Sequence, residues 1–250
     1  MTVKKMVILL LILLTISTQA FADRFSSWGS INYTEVEGFR LESSFKEAFP
    51  VGRLVPYISI DIYQSSKREQ IWNNKIEPAL GIEYKLPLTL LKGAEWQNYT
   101  VGGKGKAVIY TDVQESRPEA LPYFNWGFGG KFNKYLPYSS WGNVKYTDVE
   151  GVIFETAIKQ GFQFNRIVPY FEFGLTQSST REHFWNNKVT VRVGLEYILP
   201  ISLFKGWEDY RIGVKTGYHI STDYNIIEFT FQFYLLNWSF GGLDLIERTF

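Results

Sequence analysis

Cysteine is absent from the 250-residue sequence, and histidine occurs only twice, at His183 and His219. The absence of cysteine excludes disulfide bonds, thiolate metal sites and a lipid-bearing cysteine. Two histidines without cysteine also exclude the ligand clusters that commonly bind zinc. We therefore predict a fold without covalent cross-links, without a metal and without any other cofactor.

Long apolar runs are absent as well. The longest, residues 6–14, is shorter than the roughly 20 residues that a membrane-spanning helix requires. It follows Lys4 and Lys5 and precedes a small-residue site at residues 20–22, which is the order of a secretory signal peptide. We predict that residues 1–22 are a cleaved signal peptide for export to the periplasm. A mature chain in a membrane would then cross it with strands.

Neither sign of charge dominates, since 26 lysines and arginines are matched by 25 aspartates and glutamates without a basic stripe. We therefore expect no nucleic-acid partner. Aromatic residues are abundant instead, with 20 Phe, 16 Tyr and 8 Trp beside 21 Gly. This composition favours strands and turns over helices, so we predict an all-β fold.

The sequence repeats itself at a nearly constant offset. Residues 72–75, Trp-Asn-Asn-Lys, return as residues 185–188. A gapless comparison of residues 25–95 with the segment 113 positions later gives 34 identities in 71 positions, and after Glu95 the offset falls to 111. This period is too long for a solenoid repeat, and no flexible linker separates the copies. We predict two tandem copies that form one continuous sheet.

Each copy, residues 25–136 and 138–250, contains six segments in which apolar and polar residues alternate. In the third segment the two faces carry Ile58, Ile60 and Ile62 against Tyr57, Ser59 and Asp61. Alternation with a period of two is typical of strands with one apolar face. Six segments in each copy predict a single antiparallel β-barrel of about twelve strands.

Alternation alone does not decide which face is inside. In two soluble β-domains the apolar face forms the core, whereas in a transmembrane barrel it contacts lipid and the polar face lines the lumen. The segments are about 9–12 residues long, as tilted membrane-spanning strands require. Tyrosine and tryptophan recur near their ends, for example Trp28, Tyr57 and Tyr170, and such residues typically form girdles at the membrane interface. We favour the transmembrane barrel, with two soluble domains as the alternative.

The signal peptide, the alternating strands, the aromatic residues and the terminal Phe250 together resemble a twelve-stranded outer-membrane barrel of Gram-negative bacteria. The spacing of Val55-Pro56-Tyr57 and of residues 72–75 is similar to barrel regions of outer-membrane proteins for exopolysaccharide secretion or phage adsorption. The resemblance implies a place in the bacterial outer membrane, among its lipid and lipopolysaccharide. It also implies insertion by the outer-membrane assembly machinery and a saccharide as candidate ligand.

The polar face supplies candidates for the lining of a lumen. They are Glu83, Lys104, Lys106, Glu172, Arg192, Glu196, Arg211, Lys215 and His219. Twelve strands leave a narrow interior, since about eight are nearly filled by side chains and roughly 16–18 leave an aqueous channel. We predict a narrow, porin-like channel for small or saccharide-type solutes. The four lysines and arginines on the fifth and eleventh segments would favour anions, and a lumen closed by salt links is the alternative.

Two long polar connections, residues 64–75 and 177–188, are predicted to face outward. Their candidates for a binding surface are Arg68, Glu69, Trp72, Asn73, Asn74, Arg181, Glu182, Trp185, Asn186 and Asn187. Tryptophan stacks on sugar rings while the polar groups bind hydroxyls, which predicts a non-conducting receptor barrel for adhesion, phage or polysaccharide. In the alternative interpretation, the charged residues pair with neighbours, the tryptophans anchor at the interface and the asparagines form the turn.

We predict that the protein is not an enzyme. An outer-membrane hydrolase, the remaining alternative, would need a serine and an acid converging on a histidine. Ser221 and Asp223 follow His219 at two-residue steps along one strand. This spacing sets the three side chains in a row on one face.

Overall fold

The computed structural model describes residues 25–34, 38–67, 74–113, 115–148, 150–180, 187–203 and 207–241. The predicted signal peptide, residues 1–22, and the terminal Phe250 lie outside the described residues. Within the described part of the chain, no helix is long and apolar enough to cross a membrane.

The described chain is built from strands and their connections. The strands are β1 (Phe25–Thr34), β2 (Gly38–Ala48), β3 (Leu54–Ser65), β4 (Lys75–Lys85), β5 (Trp96–Tyr110), β6 (Glu115–Lys131), β7 (Pro137–Thr147), β8 (Gly151–Gly161), β9 (Ile167–Ser178), β10 (Lys188–Ile198), β11 (Trp207–Ser221) and β12 (Ile227–Gly241). Each strand pairs antiparallel with its neighbours along the chain, and β1 pairs with β12, so the sheet closes into a barrel. This confirms the predicted closed antiparallel barrel of twelve strands, and a single closed sheet replaces the alternative of two separate domains.

Side-chain polarity alternates along the strands, with the polar face inside. On the outer face Leu80 and Phe229 are 68% and 65% exposed, whereas on the inner face Glu83 and Glu196 are 4% and 2% exposed. A water-soluble β-protein has the reverse arrangement, because burial of the apolar face stabilises its core. The barrel therefore presents an apolar surface to its surroundings and keeps its charges in the lumen.

One irregularity interrupts the regular register of the sheet. The pairing of β1 with β12 shifts between Ile31 and Asn32, and the pairing of β11 with β12 shifts between Arg211 and Gly213. Both shifts lie opposite Leu235, so β12 carries a β-bulge there. Such an extra residue bends a strand and increases its twist. We call the end of the barrel where β1 begins and β12 ends the terminal end, and the opposite end the distal end.

Candidate functional site

A buried glutamate projects into the lumen from the wall formed by β2 to β6. Glu83 lies on β4 between two exposed residues, Ile82 and Tyr84, so alternation turns its carboxylate inward. Lys46 Nζ donates to Glu83 Oε2 at 2.8 Å, and the Tyr123 hydroxyl donates to Glu83 Oε1 at 2.8 Å. A cation and a second donor thus compensate the burial of this charge, as buried ions require.

Tyr57 completes this group, and we call Lys46, Tyr57, Glu83 and Tyr123 the Glu83 cluster. The hydroxyl oxygens of Tyr57 and Tyr123 lie 2.8 Å apart, and Lys46 Nζ lies 4.3 Å from the centre of the Tyr57 ring. The ring rests against Gly81, the residue opposite Tyr57 in β4. A Cβ at Gly81 would stand 2.2 Å from the ring atom Cζ, so only glycine leaves room for the tyrosine there.

The wall formed by β8 to β12 carries a matching group with one more cation. Glu196 accepts hydrogen bonds from Lys159 at 2.5 Å and from Arg211 at 2.6 Å. Tyr234 donates to the same carboxylate at 2.9 Å, and its hydroxyl lies 3.2 Å from that of Tyr170. Lys159 Nζ lies 3.9 Å from the centre of the Tyr170 ring. We call these five residues the Glu196 cluster.

Towards the distal end, the first wall carries further acidic residues, and Asp61 and Glu77 among them lie beside lysines. Asp61 Oδ2 lies 3.7 Å from Lys104 Nζ. Glu77 pairs with Lys75 at 2.7 Å and with Lys106 at 2.8 Å. The predicted lumen cations Lys104 and Lys106 thus lie on the inner face with their charges balanced by carboxylates on nearby strands.

The second wall is less balanced towards the same end. Arg192 donates to Glu172 at 2.9 Å, and its other terminal nitrogen lies 2.5 Å from His219 Nε2. Among the described residues, neither Lys188 nor Lys215 has a carboxylate within 4.0 Å. Lys215 is therefore a predicted lumen residue whose charge has no direct counter-ion in the described chain.

The side chains leave adjoining cavities in the lumen. The Glu196 cluster, together with Arg192 and Lys215, lines a cavity of about 300 Å³, and the Glu83 cluster lines one of about 410 Å³. These two cavities share Trp28 in their walls. A third cavity of about 280 Å³ shares Trp96 with the 410 Å³ cavity and shares Lys159 and Arg211 with the 300 Å³ cavity. Side chains therefore do not fill this barrel.

Several aromatic residues belong to this lumen, and their predicted place in an interfacial girdle was wrong. Trp28 lines two of the cavities, and Tyr57 and Tyr170 are buried within the two clusters. The sequence contained the signal, because Tyr57 shares its face of β3 with Asp61. Trp141, on β7, also lines the 410 Å³ cavity.

Two of the predicted external-loop residues lie in the described chain, and both are buried turn anchors. Asn74 and Asn187 are each 2% exposed. Asn74 Oδ1 accepts from the Ser65 backbone N–H at 2.7 Å, and its Nδ2 donates to Asp112 at 2.6 Å. Asn187 makes the equivalent pair of hydrogen bonds beside β9 and β11. The other candidates lie outside the described residues: Arg68, Glu69, Trp72, Asn73, Arg181, Glu182, Trp185 and Asn186.

The three residues of the hydrolase alternative do not bind one another in the described chain. His219 contacts Arg192, and Asp223 accepts a hydrogen bond from Asn187 at 2.5 Å. The Ser221 hydroxyl is buried without a hydrogen-bond partner in the described chain. Over the same residues, no group of three or more histidine or acidic side chains is placed to hold a metal ion.

No protein-family model matches the sequence, and no curated protein sequence matches it significantly. Solved structures of similar fold include the NanC porin, with a TM-score of 0.44 and 8% identity over 86% of this chain and 98% of that chain. They also include LpxR from Salmonella typhimurium, with a TM-score of 0.42 and 9% identity over 86% of this chain and 99% of that chain. At such identities the likeness concerns the fold alone. The chain is a twelve-stranded β-barrel with structural similarity to the outer-membrane barrels NanC porin and LpxR.

Proposed function

We propose that the chain is an outer-membrane barrel whose lumen is a narrow channel for small polar solutes. The observation that carries this proposal is the set of adjoining cavities of about 300, 410 and 280 Å³, lined by charged, polar and aromatic side chains inside an apolar exterior. An apolar outer face suits lipid, while a polar lumen admits water and dissolved solutes. Because twelve strands enclose less space than the roughly 16–18 of open porins, we expect a small conductance.

Aromatic side chains favour saccharides among the polar solutes. Trp28, Trp96 and Trp141 line the 410 Å³ cavity together with the amides of Asn98 and Asn125. Indole rings stack on the apolar faces of sugars while amides bind their hydroxyl groups. The cavity also falls within the range of roughly 300–1,000 Å³ that small-molecule sites occupy. We infer that a small saccharide is the candidate solute.

The same proposal places the protein in the bacterial envelope. Residues 1–22 would direct export to the periplasm, and the outer-membrane assembly machinery would insert the barrel among lipid and lipopolysaccharide. Neither a nucleic-acid partner nor a catalytic activity forms part of the proposal. The contact of His219 with Arg192 speaks against a Ser-His-acid site, because the histidine of such a site would bind the serine and the acid instead.

We also propose that the two walls descend from tandem copies of one unit. Three members of the Glu83 cluster recur 113 positions later in the Glu196 cluster, and the fourth recurs 111 positions later. In both clusters a lysine and a tyrosine bind the glutamate, and the lysine lies over the ring of a second tyrosine. Shared contacts at a shared offset support common descent of the two walls.

A non-conducting receptor barrel is the second candidate. Its support is the pairing of opposite charges within the lumen, since both buried glutamates bind a lysine within 3 Å. Such ion pairs stiffen the walls of the barrel and narrow its lumen. In this case function would lie in the distal loops that Asn74 and Asn187 anchor.

Single-channel recording of the refolded full chain in a planar lipid bilayer separates the two candidates. We expect stepwise conductance that falls in Ser59→Trp, because this change adds an indole ring to the 410 Å³ cavity. Ile60→Trp is the matched control, because the next residue of β3 lies on the outer face. A barrel that keeps its heat-modifiable mobility but shows no steps would refute the channel in favour of the receptor. Equal loss of conductance in both variants would also speak against conduction through the lumen.

A further inference from the structure

The two walls differ in the acids that balance lysines towards the distal end. In the first wall, Lys104 lies 3.7 Å from Asp61, and Lys75 lies 2.7 Å from Glu77. Asp61 and Glu77 are direct partners in the β3–β4 ladder. Glu77 also binds Lys106 at 2.8 Å, and Glu119 lies 3.2 Å from the same lysine. Three carboxylates therefore balance three lysines of β4 and β5 in the first wall.

The second wall keeps both lysines and lacks both acids. Lys188 and Lys215 occupy the equivalent positions, whereas Gly174 and Thr190 stand where the first wall has its two acids. Gly174 and Thr190 are again direct partners, now in the β9–β10 ladder. Neither of them carries a charge, and within the described chain neither lysine has a carboxylate within 4.0 Å.

An unpartnered hydroxyl group lies on the same inner face, beside the place of the missing acids. Lys188 is directly opposite Ser221 in the β10–β11 ladder, and Thr190 is directly opposite His219. Ser221 is 4% exposed, and its hydroxyl has no hydrogen-bond partner in the described chain. A buried hydroxyl without a partner costs free energy unless a ligand or water supplies one.

The carboxylates nearest to this region have other partners or lie at its edge. Glu172 is bound by Arg192 at 2.9 Å, Glu155 is bound by Lys145 at 2.9 Å, and Glu228 is exposed at the distal end of β12. Positive charge is therefore in excess on the inner face of β10 and β11.

We propose that the second wall binds a phosphate-type dianion in the place of the two missing carboxylates, between Lys188 and Lys215. Two absent negative charges and two lysines without a carboxylate within 4.0 Å set the charge of the ligand. A ligand that stands in for two carboxylates is expected to be compact. Lysine is a common ligand of phosphate, and Ser221 and His219 add hydrogen-bonding groups. This inference rests on the proposed channel only because the anion must reach the site through the lumen. It adds to that proposal a preference for negatively charged solutes.

Inorganic phosphate tests this site in the refolded full chain. At constant ionic strength against chloride, we expect phosphate to raise the temperature at which the barrel unfolds in a heat-modification assay. Gly174→Asp returns the acid of the first wall, and a Cβ there meets Thr190 Cβ at an ordinary 3.5 Å. We expect Gly174→Asp and Lys215→Gln to raise the half-maximal phosphate concentration about tenfold, the effect of losing one charge-assisted hydrogen bond. Lys104→Gln, on the first wall, is the matched control and should keep the wild-type response.

The outcomes separate this inference from the proposed channel. Conductance without any phosphate response would overturn the anion site and leave the channel intact. A phosphate response in a barrel that does not conduct would support the site and refute the channel. The site is also overturned if acetate stabilises the barrel as well as phosphate does, or if Lys104→Gln weakens the response as much as Lys215→Gln.

Discussion

Removal of the Glu196 carboxylate tests how strongly the clusters hold the lumen wall. In Glu196→Ala, Lys159 and Arg211 lose an acceptor at 2.5 and 2.6 Å, and Tyr234 loses one at 2.9 Å. Breaking a buried ion pair by removing one partner costs about 3–5 kcal/mol. The Lys159 and Arg211 side chains retain 16% and 20% exposure and border a cavity, so water offsets part of this loss. We expect the free energy of unfolding to fall by about 3 kcal/mol.

Urea unfolding in lipid vesicles, followed by tryptophan fluorescence, measures this change. With a urea dependence of about 1–3 kcal/mol per molar, the unfolding midpoint should fall by about 1–3 M. Lys215→Ala is the control, because it removes a lumen cation and leaves the carboxylate of Glu172 bound to Arg192 at 2.9 Å. We expect a change of less than about 1 kcal/mol. If Glu196→Ala unfolds at the same urea concentration as Lys215→Ala, the ion pairs of the Glu196 cluster do not stabilise the barrel and the reasoning is refuted.

Two further substitutions test the packing of the lumen and the assignment of faces, in the same unfolding assay. Gly194→Ala places a Cβ 2.4 Å from Tyr170 Cζ, and we expect the free energy of unfolding to fall by about 1–3 kcal/mol. Adding Tyr170→Ala to the same chain should relieve this clash. Strictly additive losses of the two substitutions would contradict the contact. Phe231→Arg puts a charge on the outer face and should cost about 2–4 kcal/mol in vesicles, whereas Gln232→Arg faces the lumen and should cost less than about 1 kcal/mol. Equal losses at these neighbouring positions would show that the two faces are wrongly assigned.

Strand number and face polarity could be predicted from the sequence because alternation is a local property. Ile58 and Asp61 each show their face through their own polarity and their place in a two-residue period, without any knowledge of distant partners. The bulge at Leu235 escaped prediction, since one extra residue in a strand of mixed polarity leaves no clear break in the pattern. For Tyr57, the residue type predicts the membrane interface, whereas its place in the two-residue period of β3 predicts the lumen, where the side chain lies.

The charge partners in the lumen could not be predicted in the same way. Lys46 binds Glu83 from 37 positions away, and that pairing depends on the curvature of the closed sheet. Lys104 and Lys215 occupy equivalent sequence positions, yet only the contacts show that Lys104 lies 3.7 Å from Asp61 whereas Lys215 has no described carboxylate within 4.0 Å. Asn74 and Asn187 resemble surface groups in the sequence because turns are usually polar. In the structure Asn74 is buried, and its side chain accepts a hydrogen bond from the Ser65 backbone N–H.

The two clusters also have a mechanical consequence for the shape of the barrel. Adjacent strands are about 4.8 Å apart, so β2 and β4 are about 10 Å apart along the sheet. Lys46 and Glu83 close this distance on the concave side, and Lys159 and Glu196 do the same between β8 and β10. Each of these ion pairs joins two strands that have a third strand between them, so the pair forms only when the sheet curves inward. The cross-section is thus two braced arcs that meet at β1 and β7, and we expect any change in the width of the lumen to occur along these two strands.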